Sequence, residues 1–320
     1  GQTVVLRILD KSGMALDFAS LGFSPELAAR MEASLARPHG IMLVTGPTGS
    51  GKTTTLYAAL ASLNAETRKI LTVEDPIEYR LPGIVQTQIN PAIGLDFAAA
   101  LRSFLRQDPD VMMVGEIRDL ETAQIAIQAA LTGHGLLSTL HTNTAAGAVT
   151  RLLDMAVEPF LLASTLNAVV AQRLVRRLCP HCRVPHTPGP GQRAALGCAD
   201  DAQFWQAQGC AECGHTGFRG RIALVEFLEV DEAVAQAILE RADAREIARR
   251  AGRMEYAEVG VLALLILIGA ATAIVTPLLG QQVLLAPSTV ALLLVANLLP
   301  AMALMVLIGR RIALKRARAR

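Results

Sequence analysis

Residues 46–54 combine glycines, a lysine and hydroxyl side chains in the order GPTGSGKTT. This order fits the pattern G-x-x-x-x-G-K-[ST], and it stands between a predicted strand and a predicted helix, which is the context that the pattern requires. Backbone N–H groups of such a loop turn inward and cradle phosphates, aided by the positive end of the following helix. Lys52 would then bridge the β- and γ-phosphates, and the Thr53 hydroxyl would ligate Mg²⁺. The pattern predicts a nucleoside triphosphate site formed by Gly46, Pro47, Thr48, Gly49, Ser50, Gly51, Lys52, Thr53 and Thr54.

Four acidic residues stand at the ends of two later apolar runs. The stretch TVEDPIEY offers Glu74, Asp75 and Glu78, and the stretch VMMVGEIRD offers Glu116 directly after a glycine. Ligands of an α/β sheet bind outside the carboxyl ends of its strands, so acids at those ends face the nucleotide. We therefore expect these residues to activate water and to support the metal. A solvated or salt-bridged role is the alternative for each.

Two histidines bracket the apolar stretch GLLSTLHT. His134 precedes this stretch, and His141 lies near its end, seven residues later. A lone histidine is more often structural than catalytic. Two histidines around one strand of a nucleotide-binding core favour a functional role, with the structural role as the alternative.

Four of the five cysteines form two C-x-x-C pairs, Cys179 with Cys182 and Cys210 with Cys213. Two such pairs are typical of a tetrahedral zinc site in a reducing compartment. Four thiolates leave no open position on the metal, so the zinc would be structural. Four unligated thiols are the alternative. The fifth cysteine, Cys198, is expected to be an ordinary thiol.

Hydrophobic periodicity places these motifs on strands that alternate with helices. Strands are predicted at 3–13, 40–46, 69–75, 110–116, 135–142 and 220–230. Helices are predicted at 24–38 and 159–179, and one helix or two at 231–252. Ser24 is the expected N-cap of the first helix, with Pro25 in its first turn. Strands that alternate with helices indicate an α/β fold with a mostly parallel sheet.

The last part of the chain has a different composition. From Val259 to Gly309 there is no Asp, Glu, Lys or Arg, and this run raises the hydrophobic content of the whole chain to 52%. Segments 259–280 and 289–309 are each long enough to cross a bilayer, which takes about 20 residues. Basic residues flank the pair and the loop between them is uncharged, so the positive-inside rule places both ends in the cytoplasm. A buried soluble hairpin is the alternative.

Charge and length limit the remaining possibilities. Residues 1–255 carry a net charge of −3 and residues 256–320 carry +5, which argues against nucleic-acid binding by the first part. The 320 residues leave room for about two domains. The amino terminus shows no secretory signal and no initiator Met, so we expect the chain to begin within a longer protein.

The stretches GPTGSGKTT, TVEDPIEY, VMMVGEIRD and TGHGLLSTLHTN, in this order, resemble the Walker A motif, Asp box, Walker B motif and His box of the secretion-superfamily ATPases. These ATPases drive type II secretion, type IV pilus assembly and retraction, and related machines. The resemblance implies a RecA-like P-loop core that uses ATP and Mg²⁺ and works as a homohexamer. The implied partners are an inner-membrane platform protein and a cytoplasmic adaptor, with no nucleic acid.

The resemblance also assigns roles to the residues of the first two motifs. Lys52, Thr53 and the loop amides hold the triphosphate and Mg²⁺. Glu78 is the implied general base on the attacking water, and Glu74 is the second choice. Asp75 is a secondary candidate.

The other two motifs and the amino-terminal strand complete the implied site. Glu116 would reach Mg²⁺ through water, and His141 would sense the γ-phosphate, with His134 as a secondary candidate. Arg7 in VVLRILD matches the arginine that acts on a neighbouring subunit's nucleotide, and such an arginine is worth ~10³–10⁵ in rate. An ordinary surface charge on an edge strand is the alternative for Arg7.

The cysteines and the apolar end indicate where the chain stands within this superfamily. The tetracysteine insert is similar to that of the secretion and pilus-assembly (extension) ATPases, and retraction motors lack it. The family pattern stops at about Met254, and the second apolar segment is similar to the membrane anchor of nitrogen-regulation-type sensor histidine kinases. We interpret the chain as an assembly ATPase joined to a foreign hairpin, by natural fusion or at a gene-model junction near 251–258.

The expected domains follow the order of the motifs. They are the end of a preceding domain with its linker at 1–20, a RecA-like ATPase core at 21–178, a zinc subdomain at 179–216, a carboxyl-terminal strand with helices at 217–255, and a transmembrane hairpin with a basic tail at 256–320. The expected location is the cytoplasmic face of the bacterial inner membrane. The alternatives are a membrane-anchored ATP-binding regulator, a non-functional fusion, and a retraction or DNA-uptake motor.

Overall fold

The computed structural model describes residues 16–189, 191 and 202–251. The chain divides into two units, Gly1–Ala263 and Leu264–Arg320, and every described residue belongs to the first. Within the described ranges, no helix is long and apolar enough to cross a membrane. Several predicted features lie outside these ranges, namely the strand at 3–13, Arg7, Cys198 and the apolar segments 259–280 and 289–309.

The described elements alternate between strands and helices over most of the chain. The helices are α1 (Pro25–Leu35), α2 (Lys52–Leu63), α3 (Phe97–Phe104), α4 (Leu120–Leu131), α5 (Ala145–Asp154), α6 (Pro159–Thr165), α7 (Glu232–Leu239) and α8 (Ala244–Arg250). The strands are β1 (Gly40–Thr45), β2 (Ile70–Glu74), β3 (Val85–Gln88), β4 (Val111–Val114), β5 (Gly135–Leu140), β6 (Leu166–Leu178), β7 (Val184–His186), β8 (Phe204–Gln206) and β9 (Phe218–Glu229). Two short 3-10 helices cover Pro91–Ile93 and Ala211–Cys213.

Seven of these strands form one sheet in the order β3-β2-β4-β5-β1-β6-β9. All neighbours pair in parallel except β6 and β9, which pair antiparallel. All six residues of β1 are buried, as expected for a strand in a parallel sheet with both faces covered. The structure therefore confirms the predicted α/β fold with a mostly parallel sheet.

Helices cover both faces of the sheet because successive side chains of a strand point to opposite faces. In β1, Met42 and Val44 pack in one core with α1 and α2. Ile41 and Leu43 pack in a second core with residues of the remaining helices, α3 to α8. The carboxyl ends of β1, β2, β4 and β5 consequently lie between two helical layers, at one edge of the sheet.

Side-chain caps begin most of the described helices. Ser24 accepts a hydrogen bond from the backbone N–H of Leu27 at 3.2 Å, so the predicted N-cap of α1 is confirmed, and the helix ends at Leu35. An N-cap of this kind contributes about 1 kcal/mol to helix stability. The same contact to the third helical residue is made at the starts of α3, α4, α5, α7 and α8 by Asp96, Asp119, Thr144, Asp231 and Asp243.

The predicted helix at 159–179 is wrong over most of its length. Only Pro159–Thr165 is helical, and Leu166–Leu178 is the longest strand of the sheet, paired with β1 on one side and β9 on the other. The first half of this strand is buried on both faces, so it has no polar alternation to separate it from a buried helix. Pairing between strands that are distant in the sequence decides its conformation.

Candidate nucleotide-binding site

The glycine-rich loop turns between the end of β1 and the start of α2, as its pattern predicts. Gly46 has φ +146°, and a Cβ there would lie 2.3 Å from the backbone oxygen of Gln172 in β6. Gly51, the N-cap of α2, has φ +90°, and a Cβ there would lie 2.8 Å from the Gln172 amide nitrogen. The backbone of β6 excludes a side chain at Gly46, whereas the left-handed backbone conformation disfavours one at Gly51.

Lys52 folds its ammonium back over this loop. Its Nζ donates hydrogen bonds to the backbone oxygens of Gly46 at 3.0 Å and of Pro47 at 3.2 Å. Burial lowers the pKa of Lys52, and the negative charge of Glu116 acts in the opposite direction. The Lys52 ammonium is therefore held at the loop, where it would contact phosphate oxygens bound to the backbone amides.

A cleft of about 580 Å³ opens beside the loop at the carboxyl ends of the parallel strands. The predicted site residues that line it are Thr48, Gly49, Ser50, Gly51, Lys52, Thr53, Thr54, Glu74, Asp75, Glu78, Glu116 and His141. The fold thus brings all four motifs to one place. Their convergence follows from the strand order, which sets β2, β4, β5 and β1 side by side.

The two glutamates of the TVEDPIEY stretch have different surroundings. Glu74 is only 3% exposed, and its carboxylate accepts hydrogen bonds from Tyr57, from Thr72 Oγ1 at 2.6 Å and from Gln86 Nε2 at 3.0 Å. Glu78 follows the end of β2, is half-buried and lines the cleft. Glu74 is therefore buried and engaged by three donors, whereas Glu78 is half-buried at the cleft.

Glu116 lies in a small charged group at the end of β4. Its Oε1 accepts a hydrogen bond from Arg118, and its Oε2 lies 3.4 Å from His141 Nε2. The hydrogen bond from Arg118 to Glu116 raises the pKa of Arg118. Glu116 is 15% exposed and His141 is 52% exposed. The Walker B-like acid and the His-box histidine are therefore direct neighbours at the cleft.

The structure separates the two histidines that the sequence groups together. His134 precedes β5, whereas His141 follows it. His134 Nδ1 lies 3.0 Å from the backbone oxygen of Ala129 and 3.1 Å from Thr132 Oγ1, at the end of α4. It lines another cavity, of about 250 Å³, near the amino ends of β1, β4 and β5. The structure places His134 at the edge of the sheet opposite the cleft.

Two residues that sequence reasoning missed come from the last two strands of the sheet. Gln172 of β6 is buried, and its Oε1 accepts a hydrogen bond from Thr55 Oγ1 of α2 at 2.7 Å. Arg221 of β9 lines the cleft. The incorrect helix at 159–179 concealed the first, because only a strand beside β1 brings Gln172 to the loop. Arg221 belongs to a predicted strand, and the signal that could have found it is a basic residue at the start of an otherwise apolar run.

The four paired cysteines meet beyond the ends of β6 and β9. Their sulfur atoms all lie within 4.8 Å of one another, and three of the separations are 3.9 Å (Cys179–Cys210), 3.8 Å (Cys182–Cys213) and 3.8 Å (Cys210–Cys213). Zn–S bonds of about 2.3 Å in a tetrahedron place the sulfurs about 3.8 Å apart. The cluster therefore has the dimensions of a four-thiolate metal site.

The backbone around the cluster favours ionised sulfur at one position. Burial disfavours the thiolate of Cys213, but the N–H groups of Cys210 and Gly217 donate to its sulfur, and its pKa is lowered to about 6. Burial raises the pKa of Cys182 to about 11. Metal ligation requires thiolates, so the N–H groups at Cys213 supply the kind of polarisation that a metal site uses.

Comparison with known proteins gives a family for most of the chain. The family described as Type II/IV secretion system protein matches residues 1–263, and the NtrY N-terminal region matches residues 254–320. The type II secretion system protein E of Klebsiella pneumoniae is 59% identical over 238 residues, which cover 74% of this chain and 48% of that protein. The type IV pilus assembly ATPase PilB of Myxococcus xanthus is 49% identical over 260 residues, 79% of this chain and 46% of PilB.

Solved structures are similar as well. The pilus retraction motor PilT with bound ADP has a TM-score of 0.58 and 29% identity over 81% of this chain and 64% of PilT. The ATPase DotB of Legionella pneumophila has a TM-score of 0.51 and 28% identity over 73% of this chain and 56% of DotB. The chain spans about half the length of the curated relatives it matches. On the match over residues 1–263 and these identities, the chain belongs to the family of type II/IV secretion system proteins.

Proposed function

We propose that this chain is a P-loop ATPase that powers pilus or pseudopilus assembly, in type II secretion or in type IV pilus biogenesis. The observation that carries the proposal is the convergence of the phosphate loop, four motif carboxylates and His141 on one cleft. Two relatives that are similar in sequence, named type II secretion system protein E and PilB, support the assembly branch.

The residues of the cleft have distinct roles in this proposal. The amides of the loop, Lys52 and the Thr53 hydroxyl hold the triphosphate and Mg²⁺, and Mg²⁺ neutralises charge on the phosphates. Glu78 takes a proton from the attacking water on its carboxylate. Glu116 supports the metal through water, and His141, beside it, senses the γ-phosphate. Asp75 lines the same cleft as a secondary candidate.

The active form in this proposal is a homohexamer on the cytoplasmic face of the bacterial inner membrane. Arg7 of one subunit completes the nucleotide site of the next. The mechanical work of ATP hydrolysis acts on a membrane platform protein and a cytoplasmic adaptor. Residues 256–320 form a membrane hairpin with both ends in the cytoplasm. The uncharged run from Val259 to Gly309 and the match of 254–320 to the NtrY N-terminal region support the hairpin.

The dependence of ATPase rate on protein concentration tests this proposal. With the full chain in detergent, the rate per subunit is expected to rise cooperatively by at least ~10-fold as hexamers form, because an arginine supplied in trans is worth ~10³–10⁵ in rate. Arg7→Ala is the matched control and should remove the rise. A rate per subunit that is independent of concentration would favour the membrane-anchored regulator instead.

We also propose that Cys179, Cys182, Cys210 and Cys213 bind one structural Zn²⁺. The sulfur separations support this, and the presence of the cluster disfavours a retraction or DNA-uptake motor. The purified chain is expected to contain about one zinc per subunit. Cys213→Ser should lower zinc affinity by more than ~10²-fold, since loss of an outer-shell partner alone costs 10–100-fold. Elemental analysis after dialysis measures the metal content.

Cys198→Ser is the matched control for this measurement, because Cys198 is the fifth cysteine and belongs to neither C-x-x-C pair. It should leave the zinc content unchanged. Retention of one tightly bound zinc by Cys213→Ser would remove that residue from the ligand set.

A further inference from the structure

Tyr57 lies five residues after Lys52 on α2 and is fully buried beneath the cleft. Its hydroxyl group donates a hydrogen bond to the Glu74 carboxylate. The backbone N–H group of Tyr79, the residue after Glu78, donates to the same hydroxyl oxygen over 3.5 Å. One hydroxyl therefore links the phosphate-loop helix, the end of β2 and the segment that carries Glu78.

The directions of these hydrogen bonds follow from the groups involved. A tyrosine hydroxyl has one proton and two lone pairs, and an ionised carboxylate only accepts. The proton of Tyr57 points at Glu74, which leaves the lone pairs of its oxygen for the backbone N–H of Tyr79. Burial and the neighbouring Glu74 raise the pKa of Tyr57, so the hydroxyl keeps its proton at any working pH.

A glutamine holds the other side of the same segment. Gln86 in β3 donates from Nε2 to the backbone oxygen of Tyr79 at 2.9 Å and to Glu74 at 3.0 Å. Its Oε1 accepts from the backbone N–H of Leu81 at 2.8 Å. Thr72 supplies the remaining donor to Glu74 at 2.6 Å. The backbone of residues 78–81 is thus held by side chains of α2 and β3, with the Glu74 carboxylate between them.

We propose that Tyr57 is a positioning residue for ATP hydrolysis, which fixes the Glu78 backbone at a set distance from the phosphate-binding end of α2. The same helix begins with Lys52 and Thr53, so one rigid element locates both the phosphates and the carboxylate that acts on the attacking water. This inference rests on the proposed ATPase function. It gives Glu74 a structural purpose, as the acceptor that orients the Tyr57 hydroxyl.

Tyr57→Phe in the full chain tests the inference, because phenylalanine keeps the buried ring and removes only the hydroxyl. The turnover number is expected to fall about 10–100-fold, since displacement of a catalytic group by 1 Å can cost ~10²-fold. The affinity for a fluorescent ATP analogue should stay within about twofold. Ser62→Ala is the control, because Ser62 lies on the same helix and, among the described residues, its hydroxyl hydrogen-bonds to the Ala59 carbonyl of that helix. It should change neither quantity.

A double-mutant cycle separates positioning from a general structural role. In a Glu78→Asp background the carboxylate is already displaced, so Tyr57→Phe should lower turnover by no more than about twofold. An equal loss in both backgrounds would overturn the proposal, and so would native turnover in Tyr57→Phe alone. If Tyr57→Phe does not fold, Glu74→Gln replaces it in the cycle, with a smaller loss expected because the glutamine oxygen still accepts from Tyr57.

A failure of the proposed ATPase function would give a different experimental result from a failure of the role of Tyr57. If the native chain binds the ATP analogue but shows no turnover that depends on Glu78, the proposed ATPase function fails and the role of Tyr57 fails with it. If the native chain turns over ATP and Tyr57→Phe does so equally well, only the role of Tyr57 fails.

Discussion

Replacement of Lys52 by alanine is expected to lower kcat/KM for ATP at least ~10³-fold. Removal of a single preorganised donor to transition-state charge costs 10²–10³ in kcat. Lys52 supplies a full positive charge that the phosphate loop already holds through the carbonyls of Gly46 and Pro47. Its loss also weakens ground-state binding, so KM should rise while kcat falls. Phosphate release over a range of ATP concentrations measures both effects.

Arg68→Ala is the matched control for the loss of a positive charge. Arg68 is exposed and lines the cavity near the amino ends of the strands, at the edge of the sheet opposite the cleft. Its replacement should leave kcat and KM within about twofold of the native values, as is usual for surface charges. Native turnover in Lys52→Ala would show that the triphosphate does not bind on the 46–54 loop.

The Glu78→Gln variant is expected to bind ATP with native affinity and to turn it over about 10²–10⁴-fold more slowly. A positioned general base contributes a factor of this size, and glutamine keeps the shape of the side chain without its basicity. Single-turnover phosphate release, together with binding of a fluorescent ATP analogue, separates the chemical step from binding. Loss of binding in this variant would instead assign Glu78 to nucleotide or metal contact.

Glu74→Gln is the comparison that distinguishes the two glutamates. Hydrogen bonds from Tyr57, Thr72 and Gln86 engage the Glu74 carboxylate, so its replacement should cost less than about tenfold in turnover. Full turnover in Glu78→Gln together with a large loss in Glu74→Gln would move the general base to Glu74. The geometry predicts the opposite order.

Much of the fold can be predicted from local patterns. The central strands are short apolar runs bounded by turn residues, and Ser24 marks the start of α1 through a cap that needs no tertiary contact. The glycine-rich loop is also local, because its function depends on its own backbone and the helix that follows. Such features are determined by interactions between residues that are close in the sequence, so a local pattern is enough to predict them.

The two ends of β5 show where sequence separation is misleading. His134 and His141 are seven residues apart in the sequence, and the sequence pattern predicts both as candidates for one site. A strand rises about 3.3 Å per residue, so its two ends open on opposite edges of the sheet. Only His141 lies at the edge where the nucleotide cleft forms.

The residues that the sequence did not reveal depend on pairing between distant strands. Gln172 reaches the phosphate loop because β6 pairs with β1, and Arg221 reaches the cleft because β9 folds back along β6. A doubly buried strand has no periodicity that distinguishes it from a helix, so local pattern could not place Gln172. Tyr57 illustrates the same limit, because its hydrogen bonds with Glu74 and Tyr79 join separate elements.

The phosphate loop, the order of the four motifs, the cysteine pairs and the α/β class can all be predicted from the sequence, because each is specified by residues within a few positions of one another. Tertiary structure alone decided that Tyr57, rather than a further acid, holds the Glu78 segment, and that β6 is a strand beside the loop. Those contacts join residues from separate elements. Their geometry is set by the packing of the whole sheet and its two helical layers, which no local pattern records.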